Sequence, residues 1–312
     1  MNVLVLGGTQ FVSRALAIRL IACEHEVTIL TRGIAPVDYE GAIRHVRADR
    51  TDAASLRQMR GMRFDAVFDV SGYSVRDIAP VLESLALDER TKYVFLSSGA
   101  VYRTSDEPMA EDAPKGENEI WGAYGSGKLA AEELLCAQQS RRGFPLAIIR
   151  PAYIYGPGNN LYREAYLFDR LERGAAIPIP KGAARTQFVH IDDLVRMLEG
   201  LPRLDWRGAE ALNYTHPVTI GWEHLVASAA AAVGVEPRSA AVDYRGKLDA
   251  REFFPFRDCT YLLDTAKAER FGLALPEVGL AKGLEEAYAW YRRARPTLHD
   301  AKMTEVEAAL SL

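Results

Sequence analysis

The chain has 312 residues, 48% apolar and 26% charged, with 24 Gly and 15 Pro, which fits one large folded domain with a smaller satellite and excludes a disordered or low-complexity chain. A formal charge of −4 argues against a surface that neutralises many phosphates, so nucleic acid is not expected as the main partner. Cys23, Cys136 and Cys259 are scattered without CxxC spacing, excluding a disulfide framework and a zinc site; with no basic leader and no 18-residue apolar stretch, a cytoplasmic enzyme without a membrane partner is expected.

In chain order, apolar runs rich in Val, Ile and Phe at Asn2 to Leu6, Glu26 to Leu30, Ile43 to Val46, Asp65 to Val70, Lys92 to Ser97 and Leu146 to Arg150 alternate with helical patterns. Such strands are buried on both faces. They predict an α/β fold: a doubly wound parallel sheet (Rossmann) with helices on each side and ligand at the strands' carboxyl edge. After Pro151 the rhythm changes, with turn chemistry at Gly156-Pro157-Gly158-Asn159-Asn160 and at Ile177-Pro178-Ile179-Pro180. The expected division is a nucleotide-binding domain at residues 1–150 and a smaller mixed C-terminal substrate lobe at residues 151–312. Strands at Thr186 to His190 and Ala211 to Tyr214, joined by a helix from Asp192 to Gly200, are expected to return in part to the first domain, so that residues near 186–235 belong partly to it. Met303 to Leu312 reads as a weakly amphipathic surface or dimer-contact helix, with poor order as the alternative.

The first strand runs into Gly7-Gly8-Thr9-Gln10-Phe11-Val12-Ser13 and then a helix with apolar residues at Val12, Leu16, Leu20 and Cys23. A strand, glycine turn and helix start present backbone N–H groups and a positive helix end to a pyrophosphate, which assigns Gly7, Thr9, Gln10, Phe11 and Val12 to cofactor binding. A G-x-x-G-x-x-G fingerprint would place glycines at 7, 10 and 13; here Gln10 crowds the phosphate unless its amide donates to it. At the end of the second strand, where an acid usually receives the ribose 2′-hydroxyl of NAD, the chain has Thr31, Arg32 and Gly33. Arg32 suits a 2′-phosphate, so the expected cofactor is NAD(P), leaning towards NADP. Beyond the third strand, Asp49 is placed to accept from the adenine amino group and Arg50 to offer its backbone, while Asp52 caps the next helix.

Ser98 closes the strand Tyr93-Val94-Phe95-Leu96, and Tyr124-Gly-Ser-Gly-Lys128 follows 26 residues later at the head of a helix. A phenol with an ammonium one turn away is predicted to titrate below its usual value near 10, which suits proton transfer beside a hydride acceptor, with Ser98 holding the reacting oxygen.

These segments resemble the extended short-chain dehydrogenase/reductase superfamily, the NAD(P)-dependent nucleotide-sugar epimerases and dehydratases. The resemblance rests on Gly7 to Val12, Asp49 to Asp52, Leu96 to Tyr102, Tyr124 to Lys128, Arg150 to Gly158 and Phe188 to Leu194. The Gly-Gly-Thr-x-Phe opening looks most like a divergent branch that includes chloroplast RNA-binding relatives. By position the resemblance implies Tyr124 as catalytic acid/base, Lys128 as the anchor of the nicotinamide ribose, and Ser98 as the ligand of the substrate oxygen. It further implies Val70, Ser71, Gly72, Ser97 and the backbone of Pro151 at the cofactor, with Tyr73, Ala100 and Tyr153 towards substrate. Phe188 to Leu194 is expected to be a junction in which His190 and Asp192 fix loops.

The expected chemistry is removal of a hydroxyl proton by Tyr124 as a hydride leaves the same carbon, or the reverse for a ketone. An epimerase working through a transient keto sugar is the first reading, an NADPH-dependent keto-sugar or small-carbonyl reductase the second, and a non-catalytic dinucleotide- or RNA-binding relative the third. Dehydration is disfavoured, because Gly99-Ala100 stand where the dehydratases of that superfamily carry Asp-Glu. Asn159, Asn160, Arg163, Arg185, Gln187 and Arg257 are the second-lobe residues expected to meet sugar hydroxyls or a diphosphate. Helices at Ser74 to Leu85 and Ala123 to Gln138 are suited to pairing in a homodimer.

Overall fold

The computed structural model of the chain describes residues 1–41 and 44–312; Ile43, the expected start of the third strand, lies outside them. Seven parallel strands form the central sheet: β1 (Asn2–Leu6), β2 (Glu26–Thr31), β3 (Arg44–Arg47), β4 (Ala66–Asp69), β5 (Lys92–Leu96), β6 (Leu146–Pro151) and β10 (Ala209–Tyr214). Their order is β10-β6-β5-β4-β1-β2-β3, so the chain reverses direction of growth between β1 and β4. That switch point, at the carboxyl edge, is where a doubly wound sheet opens a crevice.

Strand alternation explains the layers. On β1, Val3 and Val5 join one apolar face with Leu16 and Leu20 of α1 (Phe11–Ala22) and Leu194 of α5 (Ile191–Gly200). Leu4 and Leu6 join the other with Ile78 of α2 (Val75–Ser84) and Leu135 of α3 (Gly122–Arg142). All four β1 residues are at most 1% exposed, which explains why the strand reads as continuously apolar.

The second lobe has its own core, built around α4 (Glu164–Glu172), α6 (Trp222–Val233) and α8 (Leu280–Ala294). Two small parallel sheets edge it: β7 (Tyr153–Tyr155) with β9 (Phe188–His190), and β8 (Ile177–Pro180) with β11 (Ser239–Val242). The short helices α7 (Ala266–Phe271) and α9 (Val306–Leu310) complete the order.

Two expectations are corrected. Ala209–Tyr214 returns to the central sheet beside β6, but Phe188–His190 pairs with β7 in a separate two-stranded sheet. The chain turns out of the large sheet after Pro151, whose ring nitrogen has no N–H to extend the ladder. The C-terminal segment is not a bare surface helix: Val306 and Ala309 are buried in the second-lobe core, and the Glu305 N–H donates to the Glu252 carbonyl at 3.0 Å.

Candidate active site

The glycine turn is built as a cradle. Gly7 has φ of 117°, and a Cβ there would lie 2.8 Å from the Ser13 Cβ, so no side chain fits between the turn and α1. Tyr39 ties the turn down by donating to the Gly8 carbonyl at 2.7 Å. Phe11 carries φ of 34°, a costly conformation for a bulky residue and a mark of local over-determination. Gln10, Phe11, Val12 and Ser13 line a cavity of about 550 Å³ that continues past Val70 and Ser71 to Ser97, Ser98, Tyr124, Lys128 and Pro151.

Tyr124 and Lys128 are positioned by the glycines between them. A Cβ on Gly127 would lie 2.8 Å from the Tyr73 carbonyl oxygen, and one on Gly125 would collide with the carbonyl of Ala100. Only a bare helix backbone approaches the loops after β4 and β5 this closely. Lys128, 3% exposed, donates to the carbonyls of Gly72 at 2.7 Å and Leu96 at 2.6 Å, leaving one of its three ammonium protons for a ligand. Burial pulls its pKa down to about 8, against the attraction of Asp69.

Tyr124 is less acidic than the sequence predicted. Burial raises its pKa and Tyr73 adds to the rise, with the nearby Ser98 hydroxyl opposing it. The cations acting on it most are Arg163 and Arg257 rather than Lys128, whose ammonium is turned to the strand-end carbonyls. Tyr124 as a residue is 38% exposed and lines the cleft. Ser98 accepts from the Ala100 N–H at 3.2 Å and lies 3.4 Å from the hydroxyl of Tyr261.

Beneath these groups are two buried ion pairs. Arg50 donates to both oxygens of Asp69 at 2.9 and 2.6 Å and to the Ser71 hydroxyl at 2.9 Å. Its guanidinium therefore braces the floor of the crevice and does not reach a ligand. Arg150 pairs with both oxygens of Glu132 at 3.0 and 2.6 Å, and Glu132 also takes the Ser97 hydroxyl. Ser97 thus offers the cavity its backbone, its hydroxyl being committed inward.

A family model described as the NAD dependent epimerase/dehydratase family matches residues 3–199. The chain belongs to this family. Among its relatives, the chloroplast stem-loop binding protein of 41 kDa b of Arabidopsis thaliana is 31% identical over 309 residues, 92% of this chain and 78% of that protein. The 2'-dehydrokanamycin reductase of Streptomyces kanamyceticus is 28% identical over 199 residues, 62% of this chain and 55% of that enzyme. The UDP-glucose 4-epimerase of Bifidobacterium longum, solved with NAD+ and UDP, has a TM-score of 0.77 and 17% identity over 95% of this chain and 99% of that one, a likeness of fold.

In this member of the epimerase/dehydratase family, the remaining expected residues divide. Tyr73, Tyr153, Asn160, Arg163 and Arg257 line the cavity. Asn160 donates to the Gln10 side chain at 3.4 Å, so it meets the glycine turn across the cleft. Gln10 here turns its amide oxygen to the second lobe. Asn159 is held away from the cavity, its side chain spent on Glu164 at 2.7 Å and the Leu161 N–H at 3.0 Å. Gln187 takes the Leu263 N–H at 2.8 Å and is a buried junction residue. Arg185 donates to the Asp106 carbonyl at 2.9 Å, and Ala100 is fully buried in the short helix after Ser98; neither lines the cavity.

At the carboxyl end of β2, Arg32 is exposed and Thr31 takes the Gly33 N–H at 3.0 Å. The Asp49 carboxyl accepts twice from Thr51, which holds its pKa down, with smaller help from Arg32 and Arg76. His190 acts as the cap of α5, its Nδ1 taking the Asp192 N–H at 3.4 Å; Nε2 then carries the proton and faces Glu286 at 3.6 Å. Sequence reasoning missed Trp121, Arg251, Phe256, Tyr261 and Lys302, all on the cavity wall. They sit in loops or, for Arg251, in a single helical turn, with no motif, and only the fold brings them to the same cavity as Tyr124. Among the described residues no helix is long and apolar enough to cross a membrane.

Proposed function

We propose that the chain moves a hydride between NAD(P) and a carbon of a nucleotide sugar, acting as an epimerase through a transient keto sugar. The observation that carries this is the convergence of Ser98, Tyr124 and Lys128 with the glycine turn on one cavity of about 550 Å³. The cradle at Gly7 and the free ammonium proton of Lys128 fit a dinucleotide. Bound there, nicotinamide supplies the hydride acceptor. Tyr124 takes the hydroxyl proton, Ser98 holds the oxygen, and Lys128 fixes the ribose while its two carbonyl bonds keep it still.

The second-lobe wall supplies Arg163, Arg251, Arg257 and Lys302 against the single acid Asp300, a surplus of cations suited to the diphosphate of a nucleotide sugar. We further read Arg32 and Arg76, both acting on Asp49, as favouring a 2′-phosphate and hence NADP. Pairing of α2 and α3 in a homodimer, and residence in a reducing compartment that suits three unpaired cysteines, complete the reading.

A reductase is the second reading, favoured by Arg32 and by the similarity to 2'-dehydrokanamycin reductase. A stem-loop-binding role is a third, favoured by the Arabidopsis relative. The test is to incubate purified protein with NAD or NADPH and with UDP-glucose, UDP-galactose and keto-sugar substrates. Interconversion of sugars without net cofactor change supports the epimerase, and stoichiometric NADPH oxidation supports the reductase. Salt-sensitive RNA retention with neither activity sinks both enzyme readings.

A further inference from the structure

Behind the catalytic cavity lies a second one, of about 340 Å³, and the two have no lining residue in common. Phe188 forms the wall between them: it lines the second cavity and packs on Tyr153 and Phe256, which line the first, at ring-centroid distances of 5.5 and 5.3 Å. The walls of the second cavity are tied to the fold. The N–H groups of His216 and Ile220 donate to the carbonyls of Phe188 at 3.0 Å and Thr186 at 2.9 Å. On the α8 side, the Val278 N–H donates to Asp193 at 2.8 Å and the Tyr155 hydroxyl to the Gly279 carbonyl at 3.3 Å. A Cβ on Gly283 would collide with that same hydroxyl, so the start of α8 is pressed against Tyr155. The space is therefore preformed, as small-molecule sites usually are.

Its lining joins an apolar surface to donors that the chain itself does not use. Tyr155, Phe188 and Ile220 are buried there. His216 Nδ1 takes the Val218 N–H at 3.3 Å, so its Nε2 carries a proton. Among the described residues no acceptor takes that N–H or the one on His224. Lys282 keeps only a long pair with Glu286 at 3.4 Å, and both side chains reach solvent. No carboxylate among the described residues lines the cavity. Two imidazole N–H groups and an ammonium beside apolar walls suit an acceptor carried on an apolar body. An ionised acceptor suits them best, because its hydrogen bonds are roughly twice as strong as those of a neutral one.

We propose that this cavity is a second ligand site, separate from the catalytic one, for a small apolar monocarboxylate. His216, His224 and Lys282 hold the carboxylate, and Phe188, Ile220 and Leu280 hold the apolar body. Binding moves no covalent bond and needs no cofactor. The ligand lies one aromatic layer from Tyr153, so it rests on the same Phe188 that supports the catalytic wall.

The test titrates the full-length protein with octanoate, octan-1-ol and octylammonium, followed by ligand-observed NMR and isothermal titration. Octanoate should bind once per chain and about tenfold more tightly than octan-1-ol, and octylammonium should not saturate. Lys282→Met and His216→Phe should each weaken octanoate by about tenfold, with a smaller effect on octan-1-ol. Ala281→Trp, at an exposed lining position, should abolish octanoate binding and leave the melting temperature of the ligand-free protein unchanged. NADH and UDP-glucose added together should not displace octanoate; displacement would put it in the catalytic cavity and overturn the proposal. Equal affinity for octanoate and octan-1-ol overturns it too, as does a lack of saturation at about 10 mM octanoate. A dimer that Ala281→Trp dissociates would assign the cavity to a second copy of the chain instead. None of these readings depends on turnover, so they stand apart from the test of hydride transfer.

Discussion

The Lys128 ammonium lies 2.6 Å from the carbonyl oxygen of Leu96, the last residue of β5, and is thereby fixed two residues before Ser98. A second bond to Gly72 at 2.7 Å ties the same ammonium to the end of the neighbouring strand. One cation thus spans the carboxyl ends of β4 and β5, and its geometry is set before any ligand arrives.

That burial has a pH signature. Lys128 is depressed from 10.5 to about 8 in the folded chain, so between those values the unfolded chain holds the proton more firmly. Folding stability attributable to this site therefore rises as pH climbs from about 8 to about 10.5 and is flat below about 8. Urea midpoints of wild type and Lys128→Met at pH 7, 9 and 10 should show wild type gaining relative to the variant only in the alkaline samples. A constant difference across that range would contradict the buried ammonium.

Tyr124→Phe should lower turnover on whichever nucleotide sugar the activity screen identifies by about 10²- to 10⁴-fold, the usual worth of a positioned acid or base. The ring is retained and partly exposed, so dinucleotide affinity and urea midpoint should stay near wild type. Loss of dinucleotide binding together with turnover would show that the phenol holds the cofactor and does not move the proton.

Asp69 is fully buried, and although burial by itself would raise its pKa, Arg50 outweighs that and holds the carboxyl below its ordinary range. Its contribution is present at neutral pH and lost as pH falls. Asp69→Asn strands the Arg50 guanidinium and should cost about 3–5 kcal/mol by urea denaturation. Asp88→Asn breaks an exposed pair, Arg63 with Asp88 at 3.3 Å, and should cost no more than about 1 kcal/mol. Equal losses would mean that the Asp69 pair is as solvated as the surface one.

Gly125→Ala pushes a methyl group into the Ala100 carbonyl and should destabilise by about 1–3 kcal/mol while displacing Tyr124. Ser126→Ala, on the exposed face of the same turn, should change stability by less than about 0.5 kcal/mol. Matching midpoints for the two variants would show that the helix start is not pressed against the loop after β5.

Much of this was legible in advance. The strands of residues 1–150 read correctly to within a residue or so where they are described, because burial on both faces writes a continuous apolar run in all but β3, an edge strand in which Val46 alone is buried. The glycine turn ahead of α1 and the placement of Tyr124 and Lys128 on one helix were legible too, since each depends on residues close along the chain. The acidity of Tyr124 did not, because helical spacing alone cannot say that the neighbouring ammonium turns towards Gly72 and Leu96. Asn159, Gln187 and Arg185 misled for a similar reason: a polar residue near a turn looks the same whether it faces a ligand or closes a loop.

The parallel sheet, the glycine turn and the spacing of Ser98, Tyr124 and Lys128 follow from periodicity and from residues close along the chain. Their surroundings come from the folded chain. Tyr261 reaches Ser98 across 163 residues, and Arg50 reaches Asp69 across 19, through contacts that no local pattern encodes. The physical reason is that hydrogen bonds and close packing depend on distances in space, which only the folded chain sets.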